Sequence, residues 1–149
     1  MKLTEVYIER CDKDSEELIS KENYSFLTSS IQHLKQNMNE FLYIESPSFE
    51  NIKTDALSFE VDDVFKTYMV LLGFKVQKKH ADGIKSYLAE HLHGENAFYS
   101  CSFSGEEGLW ELNIPIDFME GFHEEQSIEQ VLSITYHFLD QLTKSIEYQ

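Results

Sequence analysis

A chain of 149 residues, 42% of them hydrophobic and 26% charged, has the length and composition of one globular domain that buries its own core without disulfides or a structural metal. No apolar run approaches the roughly 18 residues that span a bilayer, which excludes a membrane-spanning helix. Against 27 acidic residues stand only 12 basic ones, a net charge of -15, and such a surface is a poor match for the phosphates of nucleic acid.

The expected partner is therefore another protein, with no nucleic acid and no membrane. The acidity suits either a solvated surface or a basic partner. Met1-Lys2-Leu3-Thr4-Glu5 lacks the basic, apolar and small-residue succession of a secretory signal, so a cytoplasmic location is expected. Cys11 and Cys101 match neither a zinc knuckle nor a redox pair and read as idle or buried thiols. With two prolines, no Gly/Ser linker and no evident internal repeat, residues 1–149 read as a single α/β domain.

In chain order, Leu3, Val6 and Ile8 fit a strand or a helix, and Asp12-Lys13-Asp14-Ser15-Glu16-Glu17 offers a helix cap followed by acids. Leu27, Ile31, Leu34, Met38 and Phe41 recur at spacings of four and three, which predicts an amphipathic helix. Ser46-Pro47-Ser48 interrupts the chain, and strands begin between Phe41 and Thr54. Leu57, Phe59 and Val61 alternate with polar residues, Asp62-Asp63 makes a turn or cap, and the run from Val64 to Val76 is apolar with Gly73 inside it. Its β-branched and aromatic content predicts the second arm of a hairpin rather than a helix beginning at Asp63.

In that strand Tyr68, Val70, Leu72 and Phe74 share one side, and Phe65, Met69 and Leu71 the other. Both sides being apolar, the strand should lie mid-sheet with its second face covered by a loop, a terminus or another subunit. Phe65, Met69 and Leu71 are accordingly the candidate interface residues, and a homodimer is expected.

Ala81, Ile84, Tyr87, Leu88 and Leu92 predict a short helix stopped by Gly94. Phe98 to Phe103 and Trp110 to Ile116 flank Ser104-Gly105-Glu106-Glu107-Gly108 as a second hairpin. Its inward faces are Tyr99, Cys101 and Phe103 on one arm and Trp110, Leu112, Ile114 and Ile116 on the other, with Pro115 at an edge or strand end. Ser127-Ile128-Glu129-Gln130 is a capping box that opens a final helix, striped by Ile128, Val131, Leu132, Thr135, Phe138, Leu139, Leu142 and Ile146.

No residue pattern specifies catalysis. His91 and His93 diverge if both lie on a helix, His123-Glu124-Glu125 reads as a solvated acidic loop, and His33, His80 and His137 have no nucleophile motif beside them. The chain is therefore read as non-enzymatic, with no catalytic residue, metal ligand or cofactor.

The order helix, three strands, helix, two strands, helix resembles the small acidic type III secretion chaperones and the YbjN-like proteins. The resemblance rests on Leu57 to Val61, Val64 to Val76, the Ala81 to Leu92 helix, the Phe98 to Ile116 hairpin and the capped Ser127 helix. It implies an α+β fold in two layers, a mostly antiparallel sheet against helices in the order α-β-β-β-α-β-β-α. It also implies homodimers that bind protein segments in a chaperone-like way without turnover. Ala56 to Asp63 followed by Phe74-Lys75-Val76 is similar to one strand-helix-strand unit of the glyoxalase-like metalloenzymes, which would imply a metal held by His and Glu. An acidic inhibitor or immunity protein for a basic toxin is the third reading, carried by charge alone.

Overall fold

The computed structural model describes residues 5–94 and 97–147. Strands β1 (Tyr7–Asp12) and β2 (Leu18–Glu22) form a hairpin, followed by a 3-10 turn at Tyr24–Thr28 and a single helical turn α1 (His33–Gln36). Next come β3 (Glu40–Glu45), a 3-10 segment Pro47–Ile52, β4 (Ala56–Val61), β5 (Tyr68–Phe74), α2 (Ala81–His91), β6 (Ser100–Ser104), β7 (Leu109–Pro115) and α3 (Ile128–Glu147). The strands make one antiparallel sheet in the order β2-β1-β3-β4-β5-β7-β6. The α+β class is as expected from the sequence.

The opening is not. Leu27, Ile31 and Leu34 are buried as a helical stripe requires, but Leu27 sits on the 3-10 turn, Leu34 on α1 and Ile31 in the turn between them, rather than on one helix running to Phe41. The backbone finds other partners there: Ile31 N–H donates to the Gln126 carbonyl and Ile128 N–H to the Ser29 carbonyl, which ties the segment to the start of α3. Successive turns produce the same three-and-four spacing as a helix, and Phe41 belongs to β3. Likewise Asp12 to Glu17 is the turn of the first hairpin, not a helix start. The segment likened to a strand-helix-strand unit contains two paired strands and no helix between them.

One face of the sheet packs on the helices. Ile8, Leu42, Ile44, Leu57, Phe59, Tyr68, Val70, Leu72, Phe74, Leu112 and Ile114 are all buried there, each alternating with a less buried neighbour as a two-residue period dictates. The second hairpin has the expected faces, with Cys101 opposite Leu112 and Phe103 opposite Trp110, and Pro115 ends its strand. The capping box of α3 is formed: Gln130 N–H donates to Ser127 Oγ at 3.2 Å, and Ser127 N–H donates to Gln130 Oε1 at 2.9 Å. All eight predicted stripe residues of α3 are buried, and each fully buried leucine or isoleucine contributes about 1.5–3 kcal/mol before its ordering entropy is subtracted.

One turn design recurs in three hairpins. Asp12 and Asp62 each accept, through one carboxylate oxygen, the N–H groups two and three residues on; Ser104 accepts from Glu107 N–H in the same way. In each turn the fifth residue donates its N–H back to the first carbonyl and has positive φ: Glu16 at 64°, Lys66 at 57° and Gly108 at 68°. Lys13, from the first turn, donates to the Val61 carbonyl at 2.7 Å and pairs with Asp63 at 3.1 Å, joining the first two hairpins.

Candidate functional site

The sheet face opposite the helices carries half-buried or exposed residues on its central strands: Phe41 and Tyr43 on β3, Ser58 and Glu60 on β4, Met69 and Leu71 on β5, Glu111 and Asn113 on β7. None of these is part of the core cluster. β5 lies mid-sheet, as expected, between β4 and β7. Of the predicted interface residues, Met69 and Leu71 lie on this open face, and Phe65 stands at its end in the β4–β5 turn.

That end is strongly apolar. Val64, Phe65 and Phe98 are 77%, 60% and 57% exposed, and the rings of Phe65 and Phe98 stack with centroids 4.8 Å apart. Beneath them Asp62, Phe65, Thr67, Met69, Phe98, Pro115 and Phe118 enclose a cavity of about 120 Å³. The Asp62 carboxylate holds the turn that presents Phe65, accepting from Phe65 N–H at 2.6 Å, so the exposed ring is placed by the fold.

Across the same face lies a feature missed in the sequence. Tyr7-Ile8-Glu9 and Tyr43-Ile44-Glu45 are the same tripeptide, and they pair antiparallel with Ile8 opposite Ile44, Tyr7 opposite Glu45 and Glu9 opposite Tyr43. Both isoleucines enter the core; the tyrosines and glutamates form a quartet on the open face, each hydroxyl donating to the carboxylate two residues on. Burial, reinforced by the bond to Glu45, pushes the Tyr43 hydroxyl well above its ordinary pKa. Lys21, opposite Glu9 on β2, places its ammonium 4.9 Å from the centre of the Tyr7 ring.

Other titratable groups tie elements together. Arg10 grips Glu40 in two parallel bonds of 2.9 and 2.7 Å, and His33 Nε2 lies 2.9 Å from the same carboxylate. Arg10 holds the Glu40 carboxyl below the usual range. Tyr68 donates its hydroxyl to Glu124 at 2.9 Å, and Lys35 pairs with Glu124 at 2.9 Å, so Glu124 of the His123-Glu124-Glu125 run is a structural tie. Asp62 and Asp63 belong to the turn.

His91 stacks on Tyr87, ring centres 3.9 Å apart; with His93 and His137 it lines a groove of about 580 Å³ between α2 and α3. Among the described residues no group of three or more His, Cys, Asp or Glu is placed to hold a metal ion. Cys11 is buried, Cys101 half-buried, and both are free thiols. No helix among the described residues is long and apolar enough to cross a membrane. Comparison with protein-family models, with curated proteins and with solved structures found no match to this chain.

Proposed function

We propose that the protein is a non-enzymatic, chaperone-like module that binds a segment of another protein on the open face of its sheet. The observation that carries the reading is that Phe65 and Phe98, each exposed to more than half, meet Met69 around one cavity, with Leu71 next on the same strand face. Exposed aromatic and aliphatic side chains around a small cavity supply the anchors of a protein interface, where a few apolar contacts dominate affinity. The reading also rests on the resemblance of the sequence to the secretion chaperones and YbjN-like proteins, although a hairpin, β1–β2, precedes the expected order and its first helix is a single turn.

Homodimerisation is the second reading, favoured by the same exposure, since a second copy would cover Phe65, Met69 and Leu71. The test is affinity capture from the source cell with intact-mass analysis, run beside light scattering, on the parent chain and on Met69→Lys and Leu71→Lys. Both side chains face away from the core, so both variants should fold. The parent should retain a protein partner or a second copy that the variants lose. A parent that holds a stoichiometric metal or small molecule and no protein overturns the reading.

A further inference from the structure

We propose that the open face is a two-point dock for an extended segment of a basic protein: an aliphatic side chain fills the Phe65–Met69–Phe98–Pro115 cavity, and a lysine or arginine rests on Tyr43 and Glu45. The inference builds on the protein-binding reading above and assigns the chemistry of the occupant.

The cation point follows from local symmetry. The paired Tyr-Ile-Glu segments relate Tyr7 to Tyr43 and Glu9 to Glu45 through an approximate two-fold axis at the Ile8–Ile44 pair. In one half the outer neighbour of the glutamate is Lys21, opposite Glu9 and lying over the Tyr7 ring. In the other half the corresponding outer neighbour, opposite Glu45, is Ala56. Among the described residues the cross-strand neighbour thus brings a cation to the first tyrosine and only a methyl group beside the second. A hollow opens there, lined by Glu5, Tyr7, Tyr43, Glu45, Pro47 and Asp55 among others. Among the described residues the cation paired with its carboxylates is Lys75, on Asp55, and an ammonium or guanidinium held between a tyrosine face and a carboxylate gains both cation–π and ionic attraction.

The apolar point is the cavity of about 120 Å³, room for one leucine- or methionine-sized side chain. Its wall includes Met69, which lies opposite Glu60, a carboxylate whose pKa is raised by burial. The registers place Tyr43 beside Ser58 and Ser58 beside Leu71. Two strand spacings and one two-residue step therefore separate Met69 from Tyr43, about 12 Å, and the step on to Glu45 makes it about 16 Å. Positions i and i+4 of an extended chain lie about 13 Å apart on one side, so the anchor and the cation belong four residues apart.

A second copy is the poorer occupant. It would bring its own Glu9, Glu45, Glu60 and Glu111 to a face that already carries them, in a chain of net charge -15, and like charges facing each other oppose docking.

The experiment is fluorescence anisotropy of the full chain with labelled peptides on a Ser/Thr background, carrying leucine and arginine at i and i+4. Control peptides replace the arginine by glutamate, replace the leucine by serine, or set the pair at i and i+1. The matched peptide should bind at least about tenfold more tightly than each control and weaken as salt rises. Phe65→Ser, in an exposed turn, and Glu45→Gln should each weaken it about tenfold, with circular dichroism reporting that the variants fold. Equal binding of charged and uncharged peptides, lost in Met69→Lys, overturns the two-point dock and leaves the protein-binding reading standing. Binding of no peptide, with a dimer in light scattering that Met69→Lys dissociates, assigns the face to a second copy and overturns the basic occupant. Binding of no peptide by a chain that is monomeric throughout overturns both.

Discussion

At the scale of single residues, Glu40 governs the acid side of stability. It is 4% exposed, gripped by Arg10 and touched by His33, and its pKa is lowered. A carboxyl whose folded pKa lies below its unfolded value contributes stability above the unfolded pKa and loses it as pH falls through the folded one. Glu40→Gln should therefore cost about 1–3 kcal/mol at neutral pH, from the lost charge-assisted fork to Arg10, which keeps only its longer pairing with Glu22 at 3.5 Å, and the deficit should shrink below about pH 4. Urea unfolding of both chains at pH 7 and pH 3 measures it. Lys53 gives the opposite sign. It closes the Pro47–Ile52 segment at φ 57°, where a side chain costs energy that glycine avoids, so Lys53→Gly should stabilise by about 0.5–1 kcal/mol in a thermal melt.

Elements show why part of the fold was legible and part was not. Period-two alternation in β4, β5 and β7 and the capping box of α3 are local signals with one physical meaning, and the structure follows them. The stripe from Leu27 to Phe41 is also local, but its meaning depends on Gln126 and Ser29, whose carbonyls accept bonds that join it to the start of α3. Spacing alone does not encode that competition. The Tyr-Ile-Glu repeat was readable: two copies of a tripeptide with polar ends and an apolar centre predict paired strands with matching faces. Three residues are too short to stand out as a repeat until the pairing of β1 with β3 is known. The apolar content of both strand faces places Met69 and Leu71 on the open face, as the structure has them; the exposure of Val64 and Phe98 has no such signal, since a turn and a loop carry no period.

The edge strand β2 also has an element-scale consequence. Its register slips between Arg10 and Cys11, leaving Ile19 as an extra residue, and Lys21 stands nearby. A bulge and a lysine both discourage pairing with a further strand. Deleting Ile19 should straighten this edge and produce greater light scattering than the parent chain at equal concentration. On α3, Ser127→Ala should remove the cap bond to Gln130 and cost about 1 kcal/mol, measured by chemical unfolding.

At the scale of the whole molecule, charge is the dominant fact. A net charge of -15 repels itself in the compact state, and salt screens that repulsion over about 8–10 Å at physiological strength. Raising sodium chloride from 20 to 300 mM should therefore raise the melting temperature by a few degrees, roughly the effect of 1 kcal/mol in a domain of this size. A melting point that falls with salt would mean that favourable ion pairs, such as Lys13 with Asp63, outweigh the global repulsion.

The shared turn has a consequence for how this protein can change. Three loops with unrelated sequences, Asp12 to Glu17, Asp62 to Thr67 and Ser104 to Leu109, meet one set of backbone demands: a side-chain acceptor first and a positive φ fifth. The side chains between are free of those demands, and in the middle loop they are Asp63, Val64 and Phe65. The loops are thus interchangeable parts, so the tip that faces the outside can be rewritten by substitution, in evolution or on the bench, while the strands beneath keep their register.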